Sequence, residues 1–579
     1  MRRILVGVLV ALTAAALTVP AQAGTSASQQ GAVREFLVLY RQGVSATAAR
    51  AAVKAAGGTI VRENTAVGLA TVRAPAATFA RAAAGQGALA GVAGNRAVGV
   101  APRPSGAGAK VDLVETEGQQ AGGSASVARA AAKPSSGAEP LAGLQWDMAQ
   151  IGATANGSYK FERGDRRVRV GIIDTGIDGS HPDIAPNFDA VRSRNFTVDI
   201  PVDANGARID GPCADEPDQS CNDPANVDEN GHGTHTASTV GAPINGLGIA
   251  GVAPGVTLVN LRAGQDSGFF FLQPVVDALT YAGNNGVDVV NMSFYADPWL
   301  FNCRSNPADS PANQAEQRTI IAAIQRALRY AWGRGVTLVN SAGNEAIDYT
   351  KPSVDTTSPD FADVPGEAPY ARNIDPADCL SLPSQGAHVL ATSATGISTR
   401  KAYYSTFGLG HVDIAGPGGD VYDTADNKRD ITRAVLAAYP ESVLRAQGLL
   451  DPAGNPLSTA VVRDCQGGVC AYYRYLQGTS MASPHAVGVA ALIVSRYGST
   501  RAGGFGLRPA ATEAILRATA SRHACPDPRA FTYTRHVANP DGTFTTVTDT
   551  HFCEGPAHHN GFYGNGIVNA LRAVRPFHG

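Results

Sequence analysis

The stretch "YLQGTSMASPHAVGVAALIV" (475–494) carries three hydroxyls in five positions, Thr479, Ser480 and Ser483, ahead of a run of small and apolar residues. A serine at the start of a buried helix can be an N-cap. It can also be a nucleophile, because free N–H groups and the positive dipole end at a helix start can support a developing oxyanion. Acyl transfer by serine needs a base for the hydroxyl proton, a carboxylate to orient that base, and donors for the oxyanion. The sequence offers each of these upstream. Asp174 stands in "VGIIDTGIDGSHPD" (170–183), where an apolar strand breaks into a glycine turn. His232 stands in "DENGHGTHTAS" (228–238), among small residues that let a helix start approach other backbone. Asn344 stands in "NSAGNE" (340–345), just past a strand and a glycine, with an amide able to donate. Taken singly, each has a plainer reading: a turn aspartate, a metal pair of His232 with His235, a turn asparagine. The metal reading wants the Glu of an HExxH motif, which this stretch lacks.

Elements able to hold these residues follow from the apolar pattern. From about residue 141, strand-like runs at 167–176, 256–263, 286–294, 335–343 and 387–394 alternate with helical stretches such as 317–335. Near-continuous apolar strands between helices imply a parallel sheet covered on both faces. Sites in such sheets form beyond the C-terminal strand ends, where Asp174 and Asn344 fall. Earlier, 34–43, 45–57, 58–75, 76–88 and 95–102 read as strand, helix, two strands, helix and strand, a βαββαβ order that suggests a small ferredoxin-like domain. Residues 103–140 are rich in Gly, Ala, Ser and Pro and read as a flexible, protease-sensitive linker. Residues 1–23 combine Arg2 and Arg3, an apolar run and Ala21-Gln22-Ala23, the pattern of a secretory signal; a membrane anchor is the alternative.

The four chemistry-bearing stretches, in the order Asp, His, Asn, Ser, resemble the signature blocks of the subtilisin-like serine proteases, the subtilases. The resemblance spans about 145–572 and includes the closing "YGNGIVNALRAV" (563–574). It implies a subtilisin-like α/β fold over 141–579, a parallel sheet sandwiched between helices. It implies that the small α+β domain at 24–102 is an inhibitory propeptide acting as folding chaperone, cleaved between about 103 and 145. It also implies roles: Ser480 as nucleophile, His232 as base, Asp174 as its orienting carboxylate, and Asn344 with the Ser480 N–H as oxyanion donors. Peptide substrates would lie along Ser293, Phe294 and Tyr295 on one side and Ser341, Ala342 and Gly343 on the other. Tyr295 and Ala296 stand where the family usually has glycines, which puts the side-chain preference of the cleft in question. By the same resemblance, Asp183 and Asn245 supply side-chain oxygens to a structural calcium ion, with the Leu247 and Ile249 carbonyls. No cofactor is implied for catalysis.

Composition bounds the rest. The 579 residues imply more than one unit, and 44% hydrophobic content suffices for a large core. A formal net charge of -2 gives no basic field for nucleic acid. After the signal segment no run is apolar enough to span a bilayer, so the expectation is a secreted, extracellular monomer whose partners are protein or peptide substrates and its own propeptide. The eight cysteines, all from Cys213 onward, imply disulfides in an exported chain. Sequence does not fix the pairing; Cys213–Cys221, Cys465–Cys470 and Cys525–Cys553 are the local choices, leaving Cys303 with Cys379. The acids Asp348, Asp355, Asp360, Asp363, Glu367, Asp375 and Asp378 read as a solvated loop, with a calcium site or a subsite for basic substrates as the alternatives.

Overall fold

The computed structural model describes residues 33–94, 97–100, 114–115 and 138–576, apart from 217–218, 296–297, 364 and 502–503. The signal segment and most of the 103–140 stretch lie outside the described residues.

The N-terminal domain runs β1 (Val33–Tyr40), α1 (Ala46–Ala55), β2 (Thr59–Asn64), β3 (Leu69–Pro75), α2 (Phe79–Ala84) and β4 (Leu89–Gly94). Its antiparallel sheet has the order β2-β3-β1-β4. Alternation along β1 sorts its two faces. Phe36, Val38 and Tyr40 pack with Val53 and Phe79 under the domain's own helices. Leu37 and Leu39 face the other way and join the core of the larger domain. The fourth strand, "LAGVAG", is built from poor strand formers and draws its stability from pairing with β1. The stretch expected to be the last strand instead forms β5 (Ala97–Val100), which leaves this sheet and pairs antiparallel with Phe269–Phe271 of the larger domain.

That larger domain is built on β6 (Arg169–Ile173), β7 (Arg194–Asn195), β8 (Thr257–Arg262), β9 (Phe269–Phe271), β10 (Val289–Met292), β11 (Thr337–Ser341), β12 (Val389–Thr395) and β13 (Ile414–Pro417). Seven of these form one parallel sheet in the order β13-β12-β11-β10-β6-β8-β7. Helices α3 (His232–Gly241) and α6 (Thr479–Tyr497) cover one face, packing on Val170, Ile172, Val289 and Val339. Helices α4 (Leu272–Asn284) and α5 (Pro311–Gly333) cover the other, on Ile173, Val259, Val290 and Leu338. Helix α5 starts earlier than the apolar pattern suggests, because Ser310 accepts the Asn313 N–H at 3.1 Å and Pro311 opens the helix. The N-terminal domain docks on α4 and α5: Asn64 donates to Asp277 at 2.6 Å, Arg62 pairs with Asp277 at 2.6 Å, and Arg326 donates to the Tyr40 carbonyl at 2.7 Å.

A smaller antiparallel sheet of β14 (Val435–Ala438), β15 (Val461–Gln466) and β16 (Val469–Leu476), with β16 central, feeds directly into α6. The cysteines pair Cys213–Cys221, Cys303–Cys379, Cys465–Cys470 and Cys525–Cys553. The acidic loop is less solvated than its composition suggests. Asp355 is buried and, with Asp309, grips the buried Arg372 guanidinium at 3.0 and 2.9 Å. Asp363 pairs with Arg34 of the N-terminal domain.

Candidate active site

Asp174 follows the last residue of β6 and is wholly buried. Its Oδ1 accepts the Thr175 N–H at 2.8 Å and the His232 Nδ1–H at 2.7 Å; its Oδ2 accepts from Thr236 Oγ1 at 3.3 Å. His232 is the first residue of α3, so its position depends on how that helix starts. Asp228 fixes the start by accepting the Gly231 N–H at 2.9 Å and both the N–H and the hydroxyl of Thr234 at 2.9 and 2.6 Å. A carboxylate there also answers the helix dipole. Gly231 has φ 97°, and a Cβ on it would lie 2.3 Å from the Tyr439 ring, so only glycine fits the turn. Burial works against the His232 charge, but the Asp174 carboxylate, then Glu115 and Asp228, outweigh it and raise the imidazole to about 9.

His235 does not share that site. Burial and the nearby His232 push its pKa down to about 3, and its Nε2 contacts the Val435 and Arg474 carbonyls at 3.2 and 3.1 Å. A neutral ring with Nε2–H donating meets both carbonyls, so His235 ties α3 to β14 and β16 and its ring is used there.

Ser480 is the second residue of α6, behind Gly478 at φ 153°. Its Oγ donates to the Ser293 carbonyl at 3.4 Å. Pro484 lies at the sixth position of α6, past its first turn. A proline there leaves the Ser480 carbonyl without its helical N–H. Ser293 Oγ donates to that carbonyl at 3.2 Å, and also meets Ser483 Oγ at 2.8 Å. Ser483 in turn donates to Asn291 at 2.9 Å. The missing helix bond thus becomes a tie between the serine and the strand that edges the cleft.

Asn344 stands past the end of β11. Its Oδ1 accepts the N–H and the hydroxyl of Thr479 at 2.9 and 2.8 Å, which turns Nδ2 into the cleft. There Nδ2 donates to Glu115 Oε1 at 3.1 Å. Ser293, Phe294, Tyr295, Ser341, Ala342 and Gly343 line the same cleft. Tyr295, one of the cleft residues, packs against two apolar clusters, one of Phe269, Phe271 and Phe361 and one that includes Leu300 and Tyr349. The expected residues are therefore assembled from four distant parts of the chain. Glu115 was not expected. It lies in the stretch read as a flexible linker, yet it is 1% exposed. The signal available was "VDLV" (111–114), the densest apolar run among the glycines, alanines and serines of that stretch.

Asp183 and Asn245 are neighbours, but they do not form an oxygen cage. Asn245 presents its amide N–H to Asp183 Oδ1 at 2.9 Å and turns its oxygen to the Leu247 N–H at 2.9 Å. Asp183 Oδ2 accepts the Ile249 N–H at 3.1 Å and the Tyr473 hydroxyl at 2.7 Å. Tyr473, from β16, fills the loop so closely that a Cβ on Gly248 would lie 1.7 Å from its hydroxyl. The side-chain oxygens of Asp183 and Asn245 each accept a hydrogen bond from the protein.

A sequence profile described as the subtilase family matches residues 165–566. Subtilisin DY of Bacillus licheniformis is 26% identical over 330 residues, 57% of this chain and 77% of that protein. A thermophilic serine proteinase of Bacillus sp. strain AK1 is 25% identical over 340 residues, 58% of this chain and 55% of that protein. Among solved structures, the epidermin leader peptide processing serine protease (EpiP) of Staphylococcus aureus aligns with a TM-score of 0.58 at 18% identity, covering 94% of this chain and 98% of that one. Fervidolysin of Fervidobacterium pennivorans, a keratinolytic enzyme related to subtilisin, gives 0.52 at 19% identity over 95% of this chain and 62% of its own. These two structural likenesses show the shared fold.

Proposed function

The chain belongs to the subtilase family of serine peptidases, and from that premise we propose that it is a secreted endopeptidase made as a self-processing zymogen. The observation that carries this reading is the 2.7 Å contact between Asp174 and His232, whose Nε2 faces Glu115, a residue lining the same cleft as Ser480 and Asn344. Ser480 Oγ attacks the scissile carbonyl while His232 Nε2 takes its proton. Asp174 holds the Nδ1–H tautomer and stabilises the imidazolium as it forms. The Asn344 amide and the Ser480 N–H receive the oxyanion. His232 then returns the proton to the leaving amine, and water repeats the cycle on the acyl-enzyme. The chemistry uses these side chains with no cofactor, and no step runs through calcium at Asp183.

The N-terminal domain, 24–102, is the propeptide in this reading. Support comes from its docking on α4 and α5 and from β5 lying along β9, beside the substrate cleft. Residues 1–23 are the export signal, and no described helix is long and apolar enough to cross a membrane. A narrow-specificity processing protease is a second reading, favoured by Tyr295, which lines the cleft and is packed in place against Phe269, Phe271 and Phe361. Digestion of a peptide library by the full chain, by Ser480→Ala and by His232→Ala tests the proposal. Cleavage by the full chain alone is the expected result; equal cleavage by either variant overturns the catalytic assignment, and the sequences cleaved decide between broad and narrow specificity.

A further inference from the structure

The catalytic cleft is filled by a side chain of the chain itself. Glu115 Oε1 accepts the Asn344 amide at 3.1 Å, and Glu115 Oε2 lies 3.6 Å from His232 Nε2. The backbone at this point is held separately. The Glu115 carbonyl accepts the Gln477 N–H at 3.4 Å, and the Val114 carbonyl accepts Gln477 Nε2 at 2.8 Å. A Cβ on Gly478 would lie 2.8 Å from Glu115 Oε1 and 3.0 Å from Glu115 Cδ, so the glycine before the serine is what admits the carboxylate.

This is not the arrangement of a peptide about to be cut. A substrate would give Asn344 its carbonyl oxygen; here Asn344 holds a side-chain carboxylate, while the Val114 and Glu115 backbone carbonyls are turned to Gln477. Ser480 Oγ donates to the Ser293 carbonyl at 3.4 Å, while the nitrogen that would take its proton faces Glu115.

We propose that Glu115 is an internal latch: its side-chain carboxylate holds the Asn344 amide and pairs with His232 Nε2, disabling oxyanion donor and base together until residues 114–115 leave the cleft. The proposal rests on the catalytic reading of Asp174, His232, Asn344 and Ser480. It separates inhibition by one carboxylate from the docking of the N-terminal domain on α4 and α5. An imidazole between Asp174 and Glu115 is held as imidazolium, and an imidazolium accepts no proton from Ser480. The groups facing His232 are Asp174, Glu115, Asp228 and His235, the last kept neutral by burial. Of the carboxylates, only Glu115 lies outside the subtilase domain.

The test uses two readouts on the full chain. In a Ser480→Ala background, which cannot process itself, the low-field proton resonance of His232 is titrated with and without Glu115→Gln. Glutamine keeps the shape and a contact to Asn344 but removes the charge. The latch requires the midpoint to fall by at least one pH unit; an unchanged midpoint overturns it. In the Ser480 background, the rate at which a fluorophosphonate labels Ser480 is compared for intact wild type, intact Glu115→Gln and Glu115→Ala, and the processed wild type, with chain integrity checked by mass. Labelling of the intact Glu115 variants at least tenfold faster than intact wild type supports the latch. If processed wild type labels rapidly but the intact Glu115 variants stay as slow as intact wild type, the latch is wrong and the protease reading stands. If processed wild type fails to label at Ser480, the protease reading itself is wrong.

Discussion

Replacing Thr479 by valine probes how Asn344, the proposed oxyanion donor, is aimed. Asn344 Oδ1 accepts two bonds from Thr479, at 2.9 Å from the N–H and 2.8 Å from the hydroxyl, and Thr479 Oγ1 itself accepts the Gly343 N–H at 3.1 Å. Valine keeps the side-chain shape and the backbone bond but removes both hydroxyl bonds. A neutral hydrogen bond contributes about 0.5–1.5 kcal/mol net, so the two together give about 1–3 kcal/mol. Losing the donor outright sets the ceiling, about 2.7–4 kcal/mol, a figure known for such an asparagine in a subtilisin and not worked from this geometry. At about 1.36 kcal/mol per tenfold, Thr479→Val should lower kcat by about 5- to 150-fold. KM should change little, because the oxyanion exists only in the transition state and its intermediate. The assay is steady-state hydrolysis of a fluorogenic peptide by the processed enzyme, with a thermal melt to confirm folding. Asn344→Ala alone should cost more, and adding Thr479→Val to it should cost less than about threefold further. A fully additive double variant, or a Thr479→Val enzyme with wild-type kcat, refutes the idea that Thr479 acts through Asn344.

Three further outcomes follow from the geometry. The His232 pKa of about 9 lies above the ordinary value of about 6.5, so its stabilising pairing is complete below that value and is lost as pH rises through 9. Urea melts of the Ser480→Ala chain should therefore show about 3 kcal/mol less stability above pH 9 than below pH 6.5, and Asp174→Asn should flatten most of that slope. Tyr473→Phe removes a donor from the buried Asp183 carboxylate and should cost about 1.5–3 kcal/mol in a denaturant melt; a chelator should leave the wild-type melting temperature unchanged, and a large drop would restore the calcium reading. Arg372→Met strands the buried Asp309 and Asp355 carboxylates and should destabilise by about 3–5 kcal/mol, measured the same way.

Much of the site was legible because its parts sit at element ends that local sequence marks. An apolar run ending in Asp174, small residues around His232 and the Gly478-Thr479-Ser480 turn each announce a strand end or a helix start. The parallel sheet was legible for the same reason, since its strands are apolar on both faces. What escaped depends on partners far along the chain. "LAGVAG" has little strand propensity and becomes a strand because β1 offers it a free edge. The resemblance paired Asp183 with Asn245, but not with Tyr473, 290 positions away, whose hydroxyl donates to the Asp183 carboxylate. Glu115 sits in a stretch whose composition says linker, and only the cleft at Asn344 and His232 gives its carboxylate a binding place. Composition likewise read Asp355 as solvated, because Arg372 was not visible as its partner.

In the proposed mechanism Ser480 is a nucleophile whose reactivity depends on His232. The most direct measurement is the mass and site of covalent label after processed enzyme meets a fluorophosphonate. One adduct per chain is expected, on Ser480, lost in Ser480→Ala and slowed at least a hundredfold in His232→Ala. Label on another residue, or equal labelling of the His232→Ala chain, would contradict it.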